Sequence, residues 1–211
     1  LMLSEIWGHT NDEIVEEKLN KAIELIIKVQ GPKGSWGYYS VAQDGDTSVS
    51  AMQMMALKSA QIAGIIIPEE TILKNLAIFK KRFDTKNGMF GYGGPYNNID
   101  SENVGTHAAA TCVMQIYGEK DPVYTMQAMK KSFEAFEKHK KFDAYFLYYG
   151  SISAYQAGPE SYQKWCEIMI PIIAEKQKEN GEIIDVLSTA WSVISLSLPL
   201  KFIKVYQPEK K

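Results

Sequence analysis

Apolar residues recur every three or four positions along most of the chain, the period of a helix with one buried face. Residues 12–30 set Ile14, Val15, Leu19, Ala22, Ile23, Leu25, Ile26, Ile27 and Val29 on that spacing. Acids come first and lysines later, the order that favours a helix dipole. Segments 46–63, 68–82, 103–117, 122–138, 143–157, 159–179 and 185–198 read the same way. Pro68, Pro122 and Pro159 stand near three helix starts, where a missing N–H costs little. No segment alternates convincingly with a period of two, so the expected fold class is all-α. Residues 1–8 read as the tail of a helix stopped at Gly8. The chain, 1–211, is therefore expected to be one domain and a piece of a longer protein, and its sequence assigns no compartment.

The helices come in pairs joined by a recurring seam. Gln30-Gly31-Pro32-Lys33-Gly34-Ser35-Trp36 has the form Q-x3-G-x-W, and Gln177 to Ile183 repeats it with isoleucine last. Asp84 to Phe90 is a third copy, with Asp for Gln and Phe for Trp. Asp84 follows Gln30 by 54 residues and Gln177 follows Asp84 by 93, leaving room for a degenerate copy near Lys141-Phe142. A unit of two helices and two loops suits these intervals. The glycine should end its helix in a left-handed conformation, and the apolar residue two places on should fold back as a plug. The glutamine amide is expected to satisfy free backbone groups at the next helix start.

Composition narrows the function classes. The chain is 45% hydrophobic and 23% charged with a net charge of −2, which lacks the basic footprint of a nucleic-acid binder. No apolar run reaches the roughly 20 residues of a membrane span. Cys112 and Cys166 have no CxxC spacing and read as small core residues. There is no phosphate-binding loop, dinucleotide fingerprint, G-x-S-x-G or H-E-x-x-H.

Q-x3-G-x-W resembles the QW repeat of the squalene–hopene cyclases, which share a superfamily with the protein prenyltransferase β-subunits. G-S-W-G-Y-Y, D-G-D-T-S-V-S-A-M-Q-M-M-A-L-K-S-A, D-A-Y-F-L-Y-Y-G and Y-Q-K-W are closer still to a bacterial branch of prenyltransferase and squalene oxidase repeat proteins. The similarity runs from about Leu3 to about Leu200. It implies an α/α toroid of inner and outer helix rings, here partial, with about four pairs. The helices starting near Asp46, Asn103, Asp143 and Asp185 would be inner.

The resemblance also implies two chemistries to look for. Class II cyclases protonate a polyene with a D-x-D-D acid followed by Thr, the middle Asp donating. Aligned on Thr47, this chain reads Gln43-Asp44-Gly45-Asp46-Thr47, with glycine in the donor position, so the cyclase motif is incomplete. The zinc of prenyltransferases needs Asp, Cys and His converging, whereas His107 and Cys112 point about 140° apart on one helix. His9 and His139 have no paired cysteine. No metal or cofactor is expected.

Asp46, Asn103, Asp143 and Asp185 recur as helix N-caps, while Asp44 reads as a loop carboxylate without such a role. Two aromatic groups, Trp36, Tyr38, Tyr39, Tyr92 and Tyr96, and Tyr145, Phe146, Tyr148, Tyr149 and Trp191, serve either as core or as a ligand lining. Adjacent Tyr148 and Tyr149 are not expected to point inward together. The candidate ligand surface is Trp36, Tyr38, Asp44, Asp46, Tyr92, His107, Asp143, Tyr148 and Asp185. Four aligned helix N-termini there would favour an anionic group.

The leading expectation is a repeat protein of this kind that binds a small apolar or isoprenoid-like ligand in its concave centre without cyclase chemistry. The alternatives are a terpenoid or prenyl enzyme using Asp44 or Asp46 as acid, and a helical scaffold for protein partners.

Overall fold

The computed structural model describes residues 1–40, 44–93, 104–139 and 141–208. Its helices are α1 (Met2–Thr10), α2 (Glu13–Lys28), α3 (Thr47–Ile62), α4 (Glu69–Lys81), α5 (Val104–Ile116), α6 (Ala128–His139), α7 (Ala144–Gln156), α8 (Pro159–Lys176) and α9 (Val186–Ser197). A π-helical turn, Val123–Gln127, leads into α6. The protein is all-α, an α/α toroid-type layering of helix pairs. A two-residue antiparallel hairpin, β1 (Phe83–Asp84) with β2 (Met89–Phe90), interrupts the helical pattern inside the third seam.

The most extensive contacts run α3 to α5, α5 to α7 and α7 to α9, making the inner layer that the sequence pattern predicts. Those helices can pack on both sides because small residues thin them. In α5 Gly105, Ala108, Ala109, Ala110 and Cys112 are all buried. Outer α4, α6 and α8 each lie on the inner helix that precedes them or follows them in the chain. Helix α1 packs on both α2 and α3, so it adds a fifth member beside α3. It runs through Gly8 and ends at Asn11, which takes the left-handed conformation (φ 52°) expected of the glycine.

The seams close as anticipated in backbone and plug. Gly34, Gly88 and Gly181 have φ of 93°, 70° and 87°, and Trp36, Phe90 and Ile183 are buried. The amide differs from expectation. Gln30 Nε2 donates to the carbonyls of Gly34 (3.0 Å) and Thr71 (2.9 Å), tying the loop to α4 rather than capping a helix start. Gln177 repeats only the local bond, to Gly181 O at 3.3 Å. Between the layers, Trp165 of α8 lies in the space a side chain would need at Gly150 of α7: a Cβ there would be 2.2 Å from Trp165 Cζ2. Its indole donates to Ser151 Oγ at 2.9 Å, and Phe136 packs 4.5 Å away between ring centroids.

Beyond α9 the chain makes two short turns, Leu198–Leu200 and Lys204–Tyr206. The second returns across the inner layer to α3. Its Lys204 N–H donates to Glu5 of α1 at 3.2 Å. Tyr206 is buried, its carbonyl accepting from Gln156 Nε2 and its phenol hydrogen-bonded to that of Tyr148.

Candidate functional site

The stretch D-G-D-T forms the N-terminal edge of α3. Asp46 is its N-cap, with Oδ1 accepting from Val49 N at 2.9 Å and from the Ser48 hydroxyl. Asp143 caps α7 through Phe146 N at 3.0 Å, and Asp185 caps α9 through Ser188 N at 2.7 Å. Asn103 lies outside the described residues, as do Gln43 and Tyr96. These caps correct the anion expectation. The three helix starts already hold their own carboxylates, which neutralise the N–H groups and repel a second negative charge.

Gly45 is fixed by close backbone approach. A Cβ there would stand 2.4 Å from the Trp36 carbonyl oxygen and 2.6 Å from Ser35 Oγ. Its N–H donates to Ser35 Oγ at 3.0 Å, and Asp46 N–H donates to Trp36 O at 2.7 Å. Thr47 ties this edge to the third seam, its N–H donating to Tyr92 O (2.8 Å) and its hydroxyl to Gly91 O (2.9 Å).

Arg82, the only arginine in the chain, clamps the same edge and was missed in the sequence. Its guanidinium donates to Thr47 Oγ1 at 2.9 Å and to the Gly45 carbonyl. It passes so close to Gly93 that a Cβ there would be 2.8 Å from Cζ. Burial pulls the Arg82 pKa down, and Asp46 and Asp44 partly restore it. A planar fork holds two acceptors where an ammonium does not. Arg82→Lys is therefore expected to lower stability by about 1–3 kcal/mol, read from urea unfolding; an unchanged midpoint would remove the clamp from this account.

Beside this edge stand Tyr38, Tyr92 and Tyr145. Tyr38 is 74% exposed and Tyr92 37%. The Tyr92 pKa is held above the tyrosine range, first by the acceptor Asp46 and then by Tyr38. Among the described residues Asp46 Oδ2 nevertheless has no partner in hydrogen-bonding geometry, although Asp46 is only 7% exposed. The phenol is near enough to feel the carboxylate without being aligned to satisfy it. Tyr145 reaches this place from α7 by crossing α5 over Gly105, where a Cβ would be 2.8 Å from its ring. The Tyr145 hydroxyl is likewise buried, with Ser48 and Tyr149 as its hydroxyl neighbours. Burial, then the Asp46 charge, hold its pKa above the usual range.

The structure places the other predicted site residues elsewhere. Asp44 is exposed and ion-paired with Lys33, an arrangement worth little to stability. Trp36 is core, its indole donating to Ile26 O at 2.7 Å. His107 is buried completely: Nδ1 accepts from Phe90 N (3.0 Å) and Nε2 faces Ala128 O (2.9 Å). It joins the third seam's plug to α6 and is no part of a ligand surface. Asp143 and Asp185 act as caps. Tyr148 stacks on Trp191 at 5.6 Å between centroids, and Tyr149 is buried beside it at 4.7 Å. Both rings enter one cluster because long side chains lean toward each other from neighbouring positions. With Tyr206, whose turn packs on α3, they form one buried aromatic cluster. Phe202 and Leu200 remain outside it, exposed.

An open groove of about 1140 Å³ lies instead in the outer layer, where Met129 and Phe133 of α6 face Lys164 and Ile168 of α8. Among the described residues no three His, Cys, Asp or Glu side chains converge as a metal site. No described helix is long and apolar enough to cross a membrane.

No family model matches the chain, and no curated protein does. Among solved structures, it is similar to a variant of the type II terpene cyclase MstE from Scytonema in complex with its substrate, geranylgeranyl dihydroxybenzoate. The TM-score is 0.68 at 14% sequence identity, over 97% of this chain and 64% of that one. The chain thus spans less than two thirds of the cyclase, and what the two share is the α/α toroid fold.

Proposed function

We propose that the protein binds a small apolar, isoprenoid-like ligand at the N-terminal mouth of its inner layer and does not cyclise it by protonation. One observation carries this reading: exposed rings of Tyr38 and Tyr92 stand beside a buried, incompletely satisfied Asp46. An apolar chain laid on those rings removes them from water, the main source of affinity for such a ligand. The solved cyclase of like fold holds a geranylgeranyl compound, which supports an isoprenoid chain as the body of the ligand. Cyclase chemistry lacks its acid, because Gly45 stands in the donor position and has no room for a side chain.

Native mass spectrometry of the protein purified from its source, followed by titration with geranylgeranyl compounds, tests the reading. Expected are a retained lipid-like molecule, quenching of intrinsic fluorescence on titration, and recovery of the polyene unchanged. A protein that retains nothing and shows no saturable quenching would refute it. The runner-up, an enzyme with Asp46 as acid, draws on the same unpartnered Oδ2. Cyclised product that vanishes in Asp46→Asn would establish that reading instead. Asp44, solvated and paired with Lys33, supports neither.

A further inference from the structure

We infer that the protein pairs with a second copy of itself through the outward face of α9, the two helices lying antiparallel about a two-fold axis at Val193. The inference uses none of the residues of the ligand reading above and does not depend on it.

Helix α9 is turned with its polar side inward. Its buried side chains are Ser188, Ser192 and Ser195, whereas Val186, Leu187, Val193 and Leu196 are exposed. The rotation is fixed from within. Tyr162 of α8 donates to Ser195 O at 2.6 Å, and Trp191 stacks on Tyr148 of α7. Leu200 and Phe202, both exposed, extend the patch past the end of the helix, Phe202 sharing a shallow cleft with Ile194 and Leu198. From Val186 to Leu200 the chain carries no charged side chain. A helix face turned to water ordinarily bears charge. These six side chains expose on the order of 700 Å² of apolar surface, above the roughly 300–600 Å² of the largest patch on a typical monomer.

The residues that follow do not cover this face. After Leu200 the chain turns away to α1, α3 and α7, with Lys204 N–H on Glu5 and Tyr206 on Tyr148. A further inner helix fits it less well than a second copy does. Where inner helices meet, as α5 meets α7, glycine and alanine thin the contact; α9 offers branched valines and leucines.

The face is also complementary to itself. Val193 stands eight positions after Asp185 and eight before Lys201. Two antiparallel copies crossing there set Asp185 of each beside Lys201 of the other, Val186 against Leu200, and small Ala190 against Leu196. Asp185 and Lys201 are both exposed, so they meet at the rim, where a charge pair fixes orientation more than strength. The uncharged centre leaves no charge buried without a partner. Some 700 Å² from each copy approaches the roughly 800 Å² per partner of a standard stable interface.

Sedimentation velocity on the purified protein across about 1–100 µM reads the outcome, with dimer expected to dominate from about 10 µM. Val193→Glu sets two carboxylates against each other on the axis. It should weaken self-association at least about 100-fold, with Tm unchanged because Val193 is 56% exposed. Lys201→Glu puts like charges at both rims and should weaken it about 3- to 10-fold, a loss that salt relieves. In a Cys166→Ser background, Val193→Cys should form a disulfide-linked dimer with oxidised glutathione. Leu187→Cys should not, since its symmetry mate lies about 18 Å away along the helix axis. If Val193→Glu fails to fold, the two cysteine variants decide alone. A wild type that stays monomeric at the highest concentration overturns the inference; co-sedimentation of that monomer with phosphatidylcholine vesicles would give the face to lipid instead. A dimer that survives Val193→Glu overturns it too, as do assemblies that keep growing with concentration, which need a head-to-tail contact.

Discussion

Replacing His107 by leucine is expected to cost the fold about 2–4 kcal/mol, since the Phe90 N–H loses its acceptor and stays buried. The histidine sits where three elements meet: α5 carries it, β2 donates to its Nδ1, and the start of α6 accepts from its Nε2. Because Nδ1 accepts a backbone N–H, the proton belongs on Nε2, and the ring works as a neutral bridge. Burial pulls its pKa from 6.5 to about 4, the bond to Ala128 resisting. The folded value thus lies below the unfolded one, so the contribution is whole above pH 6.5. It is lost as pH falls toward 4, where the unfolded chain takes up the proton first. The full loss corresponds to about 3 kcal/mol. Much of it falls between pH 6.5 and 4.5, above the range in which Glu70, Glu119 and Glu134, whose pKa values are lowered below 4.5, lose theirs. Urea midpoints of the wild type should decline across that window, and those of His107→Leu should decline less. A flat wild-type profile would contradict the neutral bridge.

The helices and their ends were legible because both depend on local chemistry. Periodicity located α2 to α9 within a few residues, and Asp46, Asp143 and Asp185 cap the helices they precede. The seam glycines followed from the same logic, as only a left-handed turn lets the plug fold back. What escaped depends on contacts between distant segments. Nothing local distinguishes His107, which needs β2 and α6 to become a bridge. Gln30 found an acceptor at Thr71, 41 positions away, in place of the helix start that its neighbourhood suggested. The Lys204–Tyr206 turn lies beyond the repeat, and only tertiary packing brings Tyr206 against Tyr148. Arg82 did have a signal. A lone arginine among 23 basic residues, followed by a seam, marks a place where lysine does not serve. Of the nine candidate site residues, Asp46, Tyr38 and Tyr92 come together at the start of α3. Tyr145, grouped in the sequence with the other aromatics, joins them only because Gly105 leaves it a path.

That edge bears on the second large effect. Gly45→Asp would rebuild the acid that the cyclase resemblance calls for, and it is expected to fail as chemistry and as structure. The new Cβ would lie 2.4 Å from Trp36 O and 2.7 Å from its carbonyl carbon, backbone atoms that cannot swing aside like the end of a flexible side chain. Relief requires the first seam and the start of α3 to separate. That movement would break the Asp46 N–H bond to Trp36 O, the Gly45 N–H bond to Ser35 and the Arg82 bond to Gly45 O. Overpacking of a well-fitted site costs typically 1–3 kcal/mol, and a clash with backbone belongs at or above about 3 kcal/mol. For a chain of this size that is a fall of roughly 6–12 °C in Tm. Gly45→Ala separates sterics from charge: it should cost nearly as much as Gly45→Asp, because the clash is made by the Cβ they share. Equal stability of wild type and Gly45→Ala would show that the edge yields. Cyclised product from Gly45→Asp would then make this glycine a lost acid. On the geometry here it is the point at which the seam and the inner helix touch, and the touching is what holds Asp46 as the cap of α3, with its second oxygen buried.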